Sequence, residues 1–206
     1  MLYDINMIVD MDNKISRKQA HNTRIRAQIV TAAGRLFRAH GYDGVGLNEL
    51  MAGAGLTRGA FYAHFASKQA LFVAVMQAEH PILRKLQERQ GNPAQLWQQM
   101  HQIFASYLAF ENRAEIWAGC SIAMLTHDVG RSSPQARAAY DDIMAMIEAE
   151  VIRDQPISAG HPNVTAAVSL AFGAVAQSRA SHSPDRQVAL LASAHATFCT
   201  LLDQAR

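Results

Sequence analysis

The residues able to do chemistry in this chain are scattered, and their spacing argues against catalysis. His127-Asp128, and His182 with Asp185, are the nearest approach to a catalytic grouping. Neither stands at a motif distance from a nucleophile, and the chain has no glycine-rich phosphate loop or paired-carboxylate pattern. An enzyme is not expected. The cysteines, Cys120 and Cys199, form no C-x-x-C pair and have no His/Cys partner at zinc-finger spacing. Neither a disulfide scaffold nor a structural metal is expected, and no cofactor. Cys120 has a sharper reading beside the bland one of a packed core thiol. Arg113 and His127 are near it in sequence, and positive charge would lower its pKa, as a redox or electrophile sensor needs.

What remains is a set of hydrogen-bond donors on a basic segment. Between Lys14 and Lys68, nine Lys/Arg face two acids, Asp43 and Glu49; from residue 69 on, ten face twelve. A basic end on a slightly acidic body points to nucleic acid, with a merely solvated basic surface as the alternative. Inside that segment Tyr62, His64 and Lys68 offer a phenol, an imidazole and an ammonium, all suitable donors to phosphate oxygens.

These groups need a scaffold. Half of the residues are hydrophobic, 17% are charged and aromatics are few, which suits a globular, all-α chain with about nine helices. Residues 1–21 show no steady period and are expected to be a flexible basic arm, starting at either Met1 or Met11. Apolar residues at helical spacing predict helices over Thr23–His40, Leu47–Ala54, Arg58–Phe65 and Lys68 to about Gln90. Gly41, Gly55 and Gly91 would end or turn them. Further helices are expected over Pro93–Glu111, Ala114–Thr126, Pro134–Asp154, Asn163–Arg179 and Pro184–Leu202, with prolines at their starts. The pair flanking Ala54-Gly55-Leu56 reads as a helix-turn-helix. No stretch reaches the roughly 18 apolar residues of a membrane span, and the first residues lack a signal peptide's pattern, so a cytoplasmic location is expected.

Over residues 24–75 the chain resembles the N-terminal domain of the TetR family of transcriptional regulators. The likeness rests on Arg24-Ile25, Ala33 with Leu36-Phe37, Gly41-Tyr42, Ala54-Gly55-Leu56-Thr57, Gly59-Ala60-Phe61-Tyr62, His64-Phe65, Ser67-Lys68 and Leu71, in that order and spacing. The resemblance implies phosphate contacts from Arg24, Thr57, Tyr62, His64 and Lys68. It implies base reading by Arg58, Gly59, Ala60 and Ala63, with Asn48 from the preceding helix. Arg58 can bond guanine in two-pronged fashion, worth about 1–3 kcal/mol of discrimination. Gly59 and Ala63 permit close approach and offer little else. Where the family has Thr or Ser capping the first helix of the motif, this chain has Gly46, a weaker cap without a hydroxyl.

The resemblance also implies a division into a helix-turn-helix domain over 22–67 and a ligand-binding and dimerisation domain over 68–206. Phe104, Tyr107, Trp117, Met124, Tyr140, Met144 and Phe172 are the expected pocket lining, since Met and aromatics adapt to apolar ligands; each reads equally well as core. With no clustered cations there, a small, mostly apolar effector is expected. Helices about 163–179 and 184–202, rich in alanine, suit a homodimer interface, which would set two recognition helices about 34–36 Å apart on a palindromic operator. Effector binding would tilt the helix from Lys68 and release the DNA, making a repressor. A ligand-independent or activating regulator fits the same residues.

Overall fold

The computed structural model of the protein describes residues 5–78, 80–114 and 119–206, with side chains described from residue 17 on. Among these residues the secondary structure is wholly helical. The helices are α1 (Ile5–His40), α2 (Leu47–Gly53), α3 (Arg58–Phe61), α4 (Lys68–Met76), α5 (Pro81–Gln87), α6 (Pro93–Tyr107), a 3₁₀ turn (Phe110–Asn112), α7 (Ser121–Gly130), α8 (Pro134–Val151), α9 (Pro162–Ala180) and α10 (Pro184–Ala205). No described helix is long and apolar enough to cross a membrane. The chain forms two compact units, Met1–Val75 and Met76–Arg206.

In the N-terminal unit, Ile29, Ala32, Ala33 and Phe37 bury one stripe of α1 against Val45, Leu50, Met51, Phe61, Phe65, Leu71 and Phe72. Phe37, Tyr42 and Phe72 meet as an aromatic triad with centroids 5.0–5.7 Å apart. Gly41 ends α1 at φ +76°, a conformation glycine adopts without a Cβ penalty. Its amide donates to the Phe37 carbonyl at 2.8 Å.

In the C-terminal unit the start signals are prolines and polar caps. Proline occupies the first turn of α5, α6, α8, α9 and α10. Asn92 and Gln95 form a reciprocal capping box on α6, and Ser133 and Ser183 accept from amides three residues on. The core gathers around Met100, Phe104, Ile122, Ile147, Val168, Phe172 and Phe198.

Several expectations about helix limits are corrected. Residues expected to form a flexible arm continue α1 as helix from Ile5, because neither Gly nor Pro interrupts the chain before Gly34. Thr23 caps nothing; mid-helix, its hydroxyl donates to the Gln19 carbonyl at 3.0 Å. The helix expected over Lys68–Gln90 is two, because Pro81 has no amide hydrogen and its ring disfavours helix at the preceding residue. Helix α3 ends at Phe61, and Tyr62–His64 form a turn closed by the His64 and Phe65 amides on the Phe61 carbonyl, both 2.9 Å. Finally, Cys120 is extended, at φ −88° and ψ 96°, and caps α7 instead of sitting within a helix.

Candidate nucleic-acid interface and a cavity

The turn between α2 and α3 is built by backbone hydrogen bonds and anchored from α1. Gly55 sits at φ +67°, and the Leu56 amide returns to the Met51 carbonyl at 2.9 Å. Gln28 donates from Nε2 to the Ala54 carbonyl at 2.6 Å, and Arg35 donates to the Gly53 carbonyl at 3.4 Å. Beyond α3, Arg26 donates to the His64 carbonyl at 3.1 Å and lies over the Phe65 ring, 4.2 Å from its centroid. These α1 side chains were not picked out from the sequence; their signal was only the polar face of α1 opposite Ile29 and Phe37. They fix the turn's orientation.

A Cβ on Gly55 would meet nothing within 4 Å, so steric crowding does not enter. Gly55→Ala is expected to lower stability by roughly 1–2 kcal/mol, the cost of left-handed backbone for an L-residue. Thermal unfolding measures it, and an unchanged midpoint would mean that the turn relaxes without cost.

The expected contact residues are brought to one short stretch, with different exposures. Arg58, Gly59, Ala63, Thr57 and Asn48 are exposed, and Ala60 and His64 are half-buried. Tyr62 is 61% exposed, although it is a large aromatic, with its ring edge-on to Phe61 at 5.3 Å. Thr57 occupies the cap position of α3 without a side-chain hydrogen bond to the helix. Gly46 likewise caps α2 with no side chain to contribute. Lys68 is half-buried, its ammonium 4.4 Å from the Tyr42 centroid. Arg24 is exposed on α1, one nitrogen 3.3 Å from His21 Nδ1. Ser67 caps α4, accepting from the Ala70 amide at 3.0 Å. With Arg17, Lys18, Arg26 and Arg35 also exposed, the stretch from Lys14 to Lys68 presents many cations against two acids, Asp43 and Glu49.

The expected aromatic pocket is redistributed. Phe104 is fully buried and stacks on Phe198 at 4.2 Å, while Phe172 packs edge-on against Tyr107 at 5.4 Å. Both are core. The Met124 sulfur accepts from Arg179 at 2.9 Å. Tyr140 and Met144 pack at the core margin, and burial raises the Tyr140 phenol. Trp117 lies outside the described residues. Of the six that are described, Tyr107 alone lines a cavity beside Cys120 and Pro81 in the C-terminal unit. Its other described walls are His80, Pro81, Ile82, Lys85, Ile103, Ser106, Gly119, Cys120 and Ile122, around a volume of about 70 Å³. That is about half of the roughly 150 Å³ apolar cavity that takes benzene. The overlooked signal was Pro81, which divides the helix expected over Lys68–Gln90 and stands in the cavity wall.

Cys120 stands in the cavity wall, buried, its sulfur 3.0 Å from the Tyr107 hydroxyl. Burial, then the neighbouring Cys120, hold the Tyr107 phenol well above its ordinary range. The cations expected near Cys120 are engaged elsewhere. Arg113 lies over its own neighbour Phe110 and donates to that residue's carbonyl, and the His127 ring is 3.3 Å from Arg131. His80, at the head of α5, is buried and donates from Nε2 to the Met76 carbonyl at 2.9 Å. The cavity wall is thus bonded to the last residue of α4.

Residues 29–75 match the family model described as bacterial regulatory proteins, tetR family. The A-factor receptor protein of Streptomyces griseus is 33% identical over 105 residues, which are 51% of this chain and 37% of that protein. The HTH-type transcriptional repressor AcnR of Corynebacterium glutamicum is 37% identical over 57 residues, 28% of this chain and 30% of that one. The chain therefore spans well under half the length of these curated relatives. The crystal structure of E. coli NemR in its reduced form is similar in fold, with a TM-score of 0.65 at 24% identity, covering 85% of this chain and 95% of that one.

Proposed function

Because the chain belongs to the tetR family of bacterial regulatory proteins, we propose that it is a DNA-binding transcriptional regulator, a homodimeric repressor released by a small effector. The observation that carries the reading is the solvent-facing set Asn48, Arg58, Tyr62 and Ala63, held on a turn that α1 anchors through Gln28 and Arg35. The Tyr62 ring meets Phe61 along one edge and is otherwise 61% exposed on a basic face; its hydroxyl suits a phosphate. Arg58 is the base reader, and Thr57, Tyr62, His64, Lys68 and Arg24 position the protein.

Dimerisation is assigned to α9 and α10. Val188, Ala189, Ala192, Ser193 and Ala196 are exposed along α10, and a Cβ on Gly173 of α9 would meet nothing within 4 Å. Small exposed side chains let a symmetry mate approach closely, so that two recognition helices read one palindrome.

The effector site is assigned to the cavity behind Pro81. Its apolar walls, Ile82, Ile103 and Ile122, favour an apolar body; Tyr107, Ser106 and Lys85 favour a hydrogen-bond acceptor on it. An occupant would press on His80 and hence on the end of α4. It acts only through its differential affinity for the two states. Cys120 gives a second reading, an electrophile sensor, favoured by its place in the cavity wall beside a phenol.

The test is fluorescence anisotropy on DNA from upstream of the protein's own gene, across salt concentrations. Wild type should bind with a steep negative salt slope. Tyr62→Phe/Lys68→Ala should weaken binding to every sequence and flatten the slope by about one for each phosphate no longer neutralised. Arg58→Ala should instead cost about 1–3 kcal/mol on the operator alone. Equal wild-type affinity for operator and random DNA, unchanged in the variants, would overturn the reading.

A further inference from the structure

Helix α1 runs well past the core it helps to form. Every residue from Arg17 to Arg24 is exposed, and the first fully buried one is Ile29. At about 1.5 Å per residue, Arg17 stands roughly 18 Å along the helix from Ile29. A helical surface that its own chain leaves bare is shaped by water or by a partner. Here the surface is of one sign. Lys14 to Arg26 holds five Lys/Arg and no Asp or Glu, and Asp10 and Asp12 bound the run on its N-terminal side. A helix that only faces water intersperses the two signs, because like charges one turn apart destabilise it. Nor does the segment suit a lipid surface, which takes an apolar face: from Ser16 to Arg24 the only apolar residue is Ala20.

The cations also face a definite way. At roughly 100° per residue, Arg17, His21 and Arg24 fall on one stripe, and Gln28 and Arg35 continue it. Contacts agree with that register. The Arg24 guanidinium is 3.3 Å from His21 Nδ1. Gln28 and Arg35 grip the Ala54 and Gly53 carbonyls, so the stripe lies on the side of α1 that holds the turn of the helix-turn-helix. Lys18 stands next to it, in line with Ile25, Ile29 and Ala32, the residues that enter the core or its margin. The faces that α1 packs against the motif within the domain therefore carry cations where the helix extends beyond it. Arg26 is placed otherwise, engaged with the His64 carbonyl and the Phe65 ring.

We propose that this extension of α1 is a second nucleic-acid contact, in which Arg17 and Lys18 lie along the phosphate backbone of duplex DNA flanking the segment that the recognition helix reads. The inference rests on the DNA-binding reading above and lengthens its footprint. Arg17 and Arg24, seven residues apart, are separated by about 10 Å of helix. A strand of duplex DNA rises about 3.4 Å per nucleotide, so the contact reaches about three base pairs beyond Arg24. Two cations on phosphates add affinity and salt dependence without reading sequence. They also brace α1, and with it the turn that Gln28 and Arg35 orient.

The test is hydroxyl-radical footprinting of the full chain on DNA from upstream of its own gene, with anisotropy on duplexes cut to the protected segment. Arg17→Gln/Lys18→Gln removes two charges at exposed positions and keeps a good helix former at each; circular dichroism checks that helix content is unchanged. The variant should keep the central protection and lose about three base pairs of it at each outer edge. Its salt slope should fall by about two per chain, one for each phosphate no longer neutralised. Arg17→Lys/Lys18→Arg, which keeps both charges, should retain the wild-type slope. Trimming the duplex by about three base pairs at each end should weaken wild type and leave the glutamine variant nearly unaffected, the non-additivity of groups in contact. Equal footprints and slopes for wild type and the glutamine variant would overturn the proposal and leave the DNA-binding reading standing. So would an equal loss on the trimmed duplex, which would mean that the charges act through the general field. Wild type that protected no segment at all would overturn both.

Discussion

Phe37→Ala should leave the N-terminal unit largely unfolded at the temperature at which wild type is folded. The ring is fully buried, edge-on to Phe72 at 5.4 Å and tilted on Tyr42 at 5.7 Å. Truncating such a ring costs about 3–5 kcal/mol, from the forfeited transfer energy and the cavity left behind. Small domains hold only about 0.05–0.15 kcal/mol per residue, so for a unit of this size the loss rivals the whole. Amide exchange should show protection disappearing across α1, α2 and α4, and DNA binding should vanish with it. Phe37→Leu should cost less than half as much, because most of the volume is kept. Tyr62→Ala is the counterpart: at 61% exposure it should change stability by under about 0.5 kcal/mol and still weaken DNA binding. If Phe37→Ala unfolded no more readily than Tyr62→Ala, the assignment of core and interface would be wrong.

That contrast depends on residues whose places were legible in the sequence, and the reason is local. Phe37, Leu50 and Phe61 follow helical spacing, and Gly41 and Gly55 mark where the chain needs positive φ. The prolines mark the starts of the later helices for the same reason. The all-helical class and the helix-turn-helix were therefore readable. What failed had tertiary causes. Helix α3 stops at Phe61 with no breaker in Tyr62-Ala63-His64, the His64 and Phe65 amides both closing on the Phe61 carbonyl. Of the aromatics expected to line a pocket, Phe104 and Phe172 are core, Phe104 stacking on Phe198, and the cavity lies beside Pro81 instead. Pairings across 61 or 98 residues, such as Arg89 with Glu150 or Cys199 with His101, leave no periodic trace.

Arg89 carries the second large effect. Only 2% of its side chain is exposed. Nε donates to the Leu86 carbonyl and Nη1 to the Leu96 carbonyl, both at 2.8 Å, and Nη2 to the Glu150 carbonyl. The Glu150 carboxylate lies 3.6 Å from Arg89 and 3.1 Å from Arg153, which returns a bond to the Arg89 carbonyl at 2.8 Å. One guanidinium thus joins α5, the start of α6 and the end of α8. Burial is the main force lowering its pKa, with Arg153 adding and Glu150 opposing; arginine stays charged regardless. Removing one member of a buried pair costs about 3–5 kcal/mol because the other is left uncompensated, so Arg89→Ala and Glu150→Ala should each lose that much in urea unfolding. Arg89→Lys should recover less than half, since an ammonium cannot meet three carbonyls in a planar fork. Screening distinguishes this network from the surface pair Arg84–Glu88, both ends of which are more than half exposed. Raising salt to about 1 M should remove most of what that pair contributes and leave the Arg89 loss nearly unchanged. If salt erased the difference between wild type and Arg89→Ala, the guanidinium would be acting as a surface charge, and the three helix ends would be held by apolar packing alone.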